Sequence, residues 1–389
     1  MRSGWSNTPL GELVVQSKES VKVLPNQTYK LLGVRWYGNG PFVREEVTSE
    51  TSKATRLFPV QTGDFIYNRL FAWKGSFGLI TQELNGCFVS SEFPLFRVRQ
   101  DLLDAVFLNL IMCQPSKWAQ IEIESTGSTS VSRNRWKEER FLEQEISLPP
   151  LEKQKQIVDF VSSIDNYIDA LQQQVDSART ARNAVLHELL TAGGDDWTET
   201  TLDDLVQSGV VSLGRGNVIS KKDMDADPGP YPVYSSAQNN DGRIGTYNKF
   251  MFDEELITWS VDGGGYVFYR PHHKFSVTNI GGYLRILDGS KFLYPFLAVV
   301  LQKLHGQHAF DWQNKAHPSV IRRLYNNIPL APLTEQKRIV DVESSMAEVI
   351  HSTELAVVEA KALRSGLISE LLSGEHEISG SYDSLPGAL

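Results

Sequence analysis

The chain writes one long segment twice. Residues 151–191 open with LEKQKQIVD and close on an ELL triplet, and residues 333–373 open with LTEQKRIVD and close on ELL again. The offset is 182 residues at both ends, so the two copies match without insertion or deletion. A fold for this sequence must therefore use the same long element twice.

Periodicity says what that element is. In the first copy Ile157, Val161, Ile164, Ile168, Leu171, Val175, Ala178, Val185 and Leu189 fall on alternating four- and three-residue steps, interrupted by Arg182. That spacing is the apolar seam of a coiled coil. The second copy places Ile339, Met346, Ile350, Val357, Ala360, Leu367 and Leu371 at matching positions, with Glu343, Thr353 and Arg364 as polar breaks. Pro149-Pro150 and Gly193-Gly194 bracket the first copy, and Pro332 and Gly374 the second, as start and stop signals. At about 1.5 Å per residue each helix is roughly 60 Å long. No other segment has this length and period, so each helix is the natural partner of the other. The alternative is two separate amphipathic helices, each lying on a globular core.

A second repeat lies outside the helices. Trp5 followed by LGELV at 10–14 returns as Trp197 followed by LDDLV at 202–206, at an offset of 192. The order is then globular domain, helix, globular domain, helix. We divide the chain as 1–150, 151–192, 193–332 and 333–374, with 375–389 an aperiodic tail expected to be disordered. Within each globular part a strand, a glycine turn and a second strand are expected, at 63–80 and at 255–269, followed by short segments at 88–91 and 275–278. An apolar helical stretch follows in each, at 102–112 and 292–304. The fold class expected is α+β: two mixed domains on short, irregular sheets, separated by two long helices forming an antiparallel coiled coil with pseudo-two-fold symmetry. Antiparallel follows if the second domain starts and ends on one side, because the first helix carries the chain to that domain and the second must then run back.

Composition narrows the function. With 389 residues and 41% hydrophobic content, the chain has enough apolar material for two or three cores. The two cysteines, Cys87 and Cys113, lack metal-ligand spacing and read as thiols of a reducing cytoplasm. The longest apolar run, 292–301, is too short to span a membrane and carries Pro295, and the N-terminus has no signal-peptide core. A cytoplasmic, non-membrane protein is expected. The net charge of −9 speaks against a DNA partner until it is divided. Residues 1–150 carry +1 and 193–332 carry −2, whereas 151–192 carry −2 and 333–389 carry −6. The globular parts are near neutral, so a local basic face is allowed, without the basic excess of a non-specific DNA binder.

No catalytic constellation stands out. Gly263-Gly264-Gly265 has no phosphate-binding helix after it and reads as a tight strand connection. His305, His308 and His317 lack a supporting Cys or carboxylate spacing and read as solvated or nucleic-acid-facing. Candidate DNA contacts are Arg133, Asn134, Arg135, Trp136 and Lys137; Asn68, Arg69 and Lys74; Lys221 and Lys222; and Trp259, Arg270, His272, His273 and Lys274. Arg can bond a guanine edge twice, Asn an adenine edge, while Lys and His suit phosphates. The competing reading of each is a solvated loop. Arg322-Arg323 is a further basic pair that can equally be structural.

With the repeated Pro-Leu-x-x-Gln-Lys-x-Ile-Val-Asp openings at 150–159 and 332–341, and the segment ITWSVDGGGYVFYRPHHKFSVTN at 257–279, the chain resembles the specificity subunit of a Type I restriction-modification system over nearly its whole length. The resemblance implies a non-catalytic reader of double-stranded DNA with two target-recognition domains, each taking one half of a split target. It also implies two adenine-N6 methyltransferase subunits and ATP-driven restriction subunits as partners. S-adenosylmethionine, ATP and Mg would sit on those partners and no cofactor on this chain. A subunit of a methylation-only complex, or a coiled-coil adaptor that binds no DNA, are the competing readings.

Overall fold

A computed structural model describes residues 4–52, 54–125, 135–193, 197–236, 240–262, 266–311 and 313–374. Arg133, Asn134, the Gly263–Gly265 triplet and the tail lie outside the described residues.

The repeated segment forms two helices of equal length, Leu151–Thr191 and Leu333–Ser373. The structure gives a reason for the repeated Gln in their opening words. Gln154 and Gln336 are both fully buried. Gln154 Nε2 donates to the Leu102 and Pro149 carbonyls at 3.0 and 2.9 Å, and its Oε1 accepts from the Asp104 N–H at 2.8 Å. Gln336 repeats this with the Lys291 and Ala331 carbonyls and the Leu293 N–H, each at 2.8 Å. A primary amide can both donate twice and accept, so one side chain bolts the start of each long helix to the loop ahead of the domain's apolar helix. A second shared device sits beside it. Ser6–Pro9 pairs antiparallel with Glu145–Leu148, Ser6 opposite Leu148, and Thr198–Thr200 pairs with Ile328–Leu330, Thr198 opposite Leu330. The chain therefore enters and leaves each domain through one small ladder in one register.

Contacts divide the chain into two compact units, Met1–Gln172 with Leu355–Leu389, and Gln173–Glu354. Each joins one globular domain to the first half of one long helix and the last half of the other. In the first unit a four-stranded sheet runs in the order 14–17, 95–98, 65–67, 77–79, and a five-stranded sheet in the order 21–22, 56–59, 88–89, 29–34, 41–47. Between the first sheet and the helices Ala105–Met112 and Pro115–Glu124, the rings of Phe65, Tyr67, Phe77, Phe96, Trp136 and Phe141 form one aromatic core. Full burial of each such ring contributes about 1.5–3 kcal/mol.

The second unit is built on a six-stranded sheet ordered 211–215, 281–286, 252–260, 267–277, 231–234, 243–247. The sequence led us to expect a short, irregular sheet; this one has six strands, with register shifts at Val233/Tyr234 and Glu254/Leu256. Residues 275–277 continue the eleven-residue strand Val267–Val277 rather than starting a new segment. Helices Tyr294–Gly306 and Pro318–Leu324 cover it.

Helix pairing is antiparallel within each unit. In the first, Ile157 and Val161 share a core with Ile368 and Leu371, and Arg364 binds Asp165. In the second, Leu186 and Leu190 share a core with Ile339, Arg182 binds Glu343, and Arg179 binds Glu354. Ile157, Val161, Ile168, Val175, Ile339, Ile350, Val357 and Leu371 of the expected seam are buried, whereas Ile164, Leu171, Met346 and Leu367 are half-buried. Near the C-terminus of each helix burial moves on by one position, to Leu186 and Ile368, instead of Val185 and Leu367. An α-helix drifts by about 20° per heptad against a strict seven-residue repeat, which moves the buried stripe in this way.

Candidate nucleic-acid interface

The expected DNA contacts separate by burial. Trp136 is fully buried in the first unit's aromatic core, its ring N–H donating to the Glu124 carboxylate at 3.2 Å. Trp259 is buried and donates to the Ala316 carbonyl at 2.8 Å, its ring against Gly282 where a Cβ would clash. Arg270, also buried, lies between the rings of Tyr234 and Phe268 and is hydrogen-bonded to Thr258 and Asp241. None of the three has a free edge for a base, which corrects the sequence expectation for each. A Trp or Arg beside a basic cluster looks the same in sequence whether its polar atoms face solvent or close a core.

Ion pairing takes others. Arg69 is bound to Glu138, with Nε to carboxylate oxygen at 2.9 Å. Burial pushes the Glu138 carboxyl up, but the hydrogen bond from Arg69 brings it below its ordinary range. Arg135 makes two bonds to Glu92 at 3.1 and 3.0 Å, and Arg322 is bound to Asp203. Asn68 accepts from the Leu70 N–H at 3.0 Å and shapes its own turn. The histidines also differ from expectation. His305 is buried with Nδ1 2.6 Å from the Tyr325 hydroxyl, and burial, helped by His308, pulls its pKa down to about 4. His317 caps the helix Pro318–Leu324 through Ser319.

What stays accessible forms small basic and aromatic surfaces. In the second unit Lys274 lies 4.8 Å from the centre of the Phe250 ring and 3.9 Å from the Asp253 carboxylate, which exposed His272 also faces at 3.8 Å. His273 is half-buried, stacked on Phe275 at 4.6 Å and bonded to the Tyr234 hydroxyl. Lys221 and Lys222 are exposed at the start of a short helix capped by Ser220. In the first unit Lys137 is exposed.

The first unit also holds a surface that the sequence reading passed over. The strands Tyr29–Val34 and Pro41–Val47 are joined by Arg35-Trp36-Tyr37-Gly38-Asn39-Gly40. Trp36 and Tyr37 are 39% and 63% exposed, and the Lys74 ammonium sits 3.9 Å from the Trp36 ring centre. An aromatic pair next to Arg in a Gly-Asn-Gly turn was the available signal.

Comparison with known proteins assigns this architecture. The model of the Type I restriction modification DNA specificity domain matches residues 3–177 and again 194–360. The chain belongs to that family. Two Mycoplasma pneumoniae proteins described as type I specificity subunits, one of them that of the restriction enzyme MpnII, are 34% and 33% identical over 136 residues. That is 34% of this chain, and 44% and 40% of theirs, so the match spans under half the length of these relatives. The HsdS subunit from Thermoanaerobacter tengcongensis shares the fold of this specificity domain protein at a TM-score of 0.52 and 16% identity, over 97% of this chain and 98% of that one. A chain from a structure concerned with assembly and conformational transition of the type I R-M system gives a TM-score of 0.60 at 16% identity, over 96% and 98%. At these identities the likeness is one of fold.

Among the described residues no group of three or more His, Cys, Asp or Glu is placed to hold a metal, and no helix is long and apolar enough to cross a membrane.

Proposed function

We propose that this chain is the target-reading subunit of a Type I restriction-modification system. Each unit reads one half of a split duplex target, and the chain carries adenine-N6 methyltransferase subunits to that target without catalysing a reaction itself. The observation that carries this reading is the repeated attachment: the entry ladder, the buried Gln and the long helix recur in both units in one arrangement. The sheets mounted on that attachment differ. A constant mount with variable domains is what two independent readers require, since positioning and sequence readout are separate tasks. Near-neutral globular parts are consistent with methyltransferase partners supplying much of the phosphate contact. The methyl donor S-adenosylmethionine belongs to those partners, and ATP with Mg to the restriction subunits of the complex.

The reading is tested by mapping N6-methyladenine across the genome of the host with and without this chain. Loss of methylation at a single split, asymmetric motif is the expected result. A methylation map that does not depend on the chain would overturn it, as would protection of no DNA by the chain in complex with its methyltransferase, which is the behaviour of a mere coiled-coil adaptor.

A further inference from the structure

Among the described residues, four that are not glycine have a left-handed backbone: Asn26, Tyr37, Asp241 and Asn327. Asn and Asp tolerate that region because their short polar side chains bond locally, whereas a bulky aromatic there is strained. Tyr37, at φ +60°, is held by its surroundings. Its N–H donates to the Lys74 carbonyl at 2.8 Å, and the next N–H, of Gly38, to the Gly75 carbonyl at 2.8 Å. The Arg35 N–H closes the loop on the Gly40 carbonyl at 2.9 Å, and the Asn39 side chain donates to the Trp36 carbonyl at 2.9 Å. Below the loop, Gly38 rests on Cys113 and Gly75 on the Trp118 ring, where a Cβ would come within 3.2 and 2.3 Å. Packing pins the loop, yet the Tyr37 ring it presents is largely exposed.

Two cations belong to the loop and to the turn that supports it. Arg35 lies over Phe42 and Lys74 over Trp36, and neither has a carboxylate partner among the described residues. Arg44, Arg69, Arg135 and Arg140 of the same unit are each paired with a glutamate. A strained, rigid aromatic edge on a loop that also carries cations without carboxylate partners suits a duplex groove, where base edges and thymine methyls lie between phosphates. Resting on the function proposed above, we infer that the loop Arg35–Gly40 with Lys74 is the base-reading element of the first unit. Tyr37 and Trp36 meet the bases, and Arg35 and Lys74 meet the flanking phosphates.

The strain supplies a clean test, because Gly is the residue this backbone prefers. The Tyr37→Gly chain is prepared with its methyltransferase subunits and titrated with a duplex carrying the mapped motif, and with duplexes scrambled in one half of it. We expect a melting temperature equal to or above wild type. Affinity should fall about tenfold or more, with discrimination lost in one half of the motif and kept in the other. The second variant, Lys74→Gln, should lower the slope of log affinity against log salt by about one. Wild-type affinity and discrimination in Tyr37→Gly, or an unchanged salt slope in Lys74→Gln, would overturn this inference and leave the proposed function standing. A wild-type complex that binds motif and scrambled duplexes alike would overturn both.

Discussion

At the scale of single residues the structure turns on buried polar groups. Gln154 bonds one N–H and two carbonyls, one at the start of its own helix and two in the loop ahead of the helix Ala105–Met112. Leaving such a group buried and unpaired costs about 1–3 kcal/mol. Gln154→Ala should therefore destabilise the first unit by about 3–5 kcal/mol in urea unfolding, a large effect for one side chain. A loss below about 1 kcal/mol would mean that the bonds are dispensable. The repeated Gln was legible as part of a motif, but its job was not, because its three partners lie at Leu102, Asp104 and Pro149 and nothing in the local pattern points to them. The same limit explains Trp136, Trp259 and Arg270. Their types suit DNA, and only the sheet and helices closing over them reveal that their polar atoms are already used.

At the scale of elements, the long helices were legible almost to the residue, since forty residues of apolar spacing outweigh any local ambiguity. The polar breaks in that spacing have a structural meaning that spacing does not carry. Arg182, a break in the first seam, pairs with Glu343, a break in the second. Arg364, the repeat-equivalent of Arg182, pairs instead with Asp165. Glu343 and Asp165 are not equivalent positions in the repeat, so each unit fixes its helix pairing with an acid of its own. Charge pairs at a seam set register more than they add stability. In a double-mutant cycle on Arg182 and Glu343 the coupling should be about 1 kcal/mol, and Arg182→Glu alone should weaken the second unit. The exchanged pair Arg182→Glu with Glu343→Arg should recover most of that loss. Failure of the exchange to recover stability would show that the two side chains act separately.

The globular sheets were less legible. The strand pairs at 65–79 and 252–277 followed from their hydrophobic runs and glycine turns. The partners of those strands did not, since the sheet orders bring together residues far apart in the chain, such as 14–17 with 95–98 and 211–215 with 281–286. The hairpin loop at 35–40 escaped for a related reason. Its significance comes from the turn at 71–75 that holds Tyr37 in a conformation it would not adopt alone.

At the scale of the whole molecule, a single attachment occurs twice and carries the two proposed readers. The charge distribution agrees with this, because most of the acidity lies on the second long helix and the tail, while the two globular parts stay near neutral. The match of the family model to both halves of the chain agrees as well. If the halves are independent, residues 1–150 can be replaced by the equivalent domain of another specificity subunit without disturbing what the rest of the chain does. The most direct measurement is a map of methylated adenines in cells carrying that exchange alongside the native methyltransferase. A new motif is expected in which one half has changed and the other half is kept base for base. A motif altered in both halves, or in neither, would contradict the independence of the two halves.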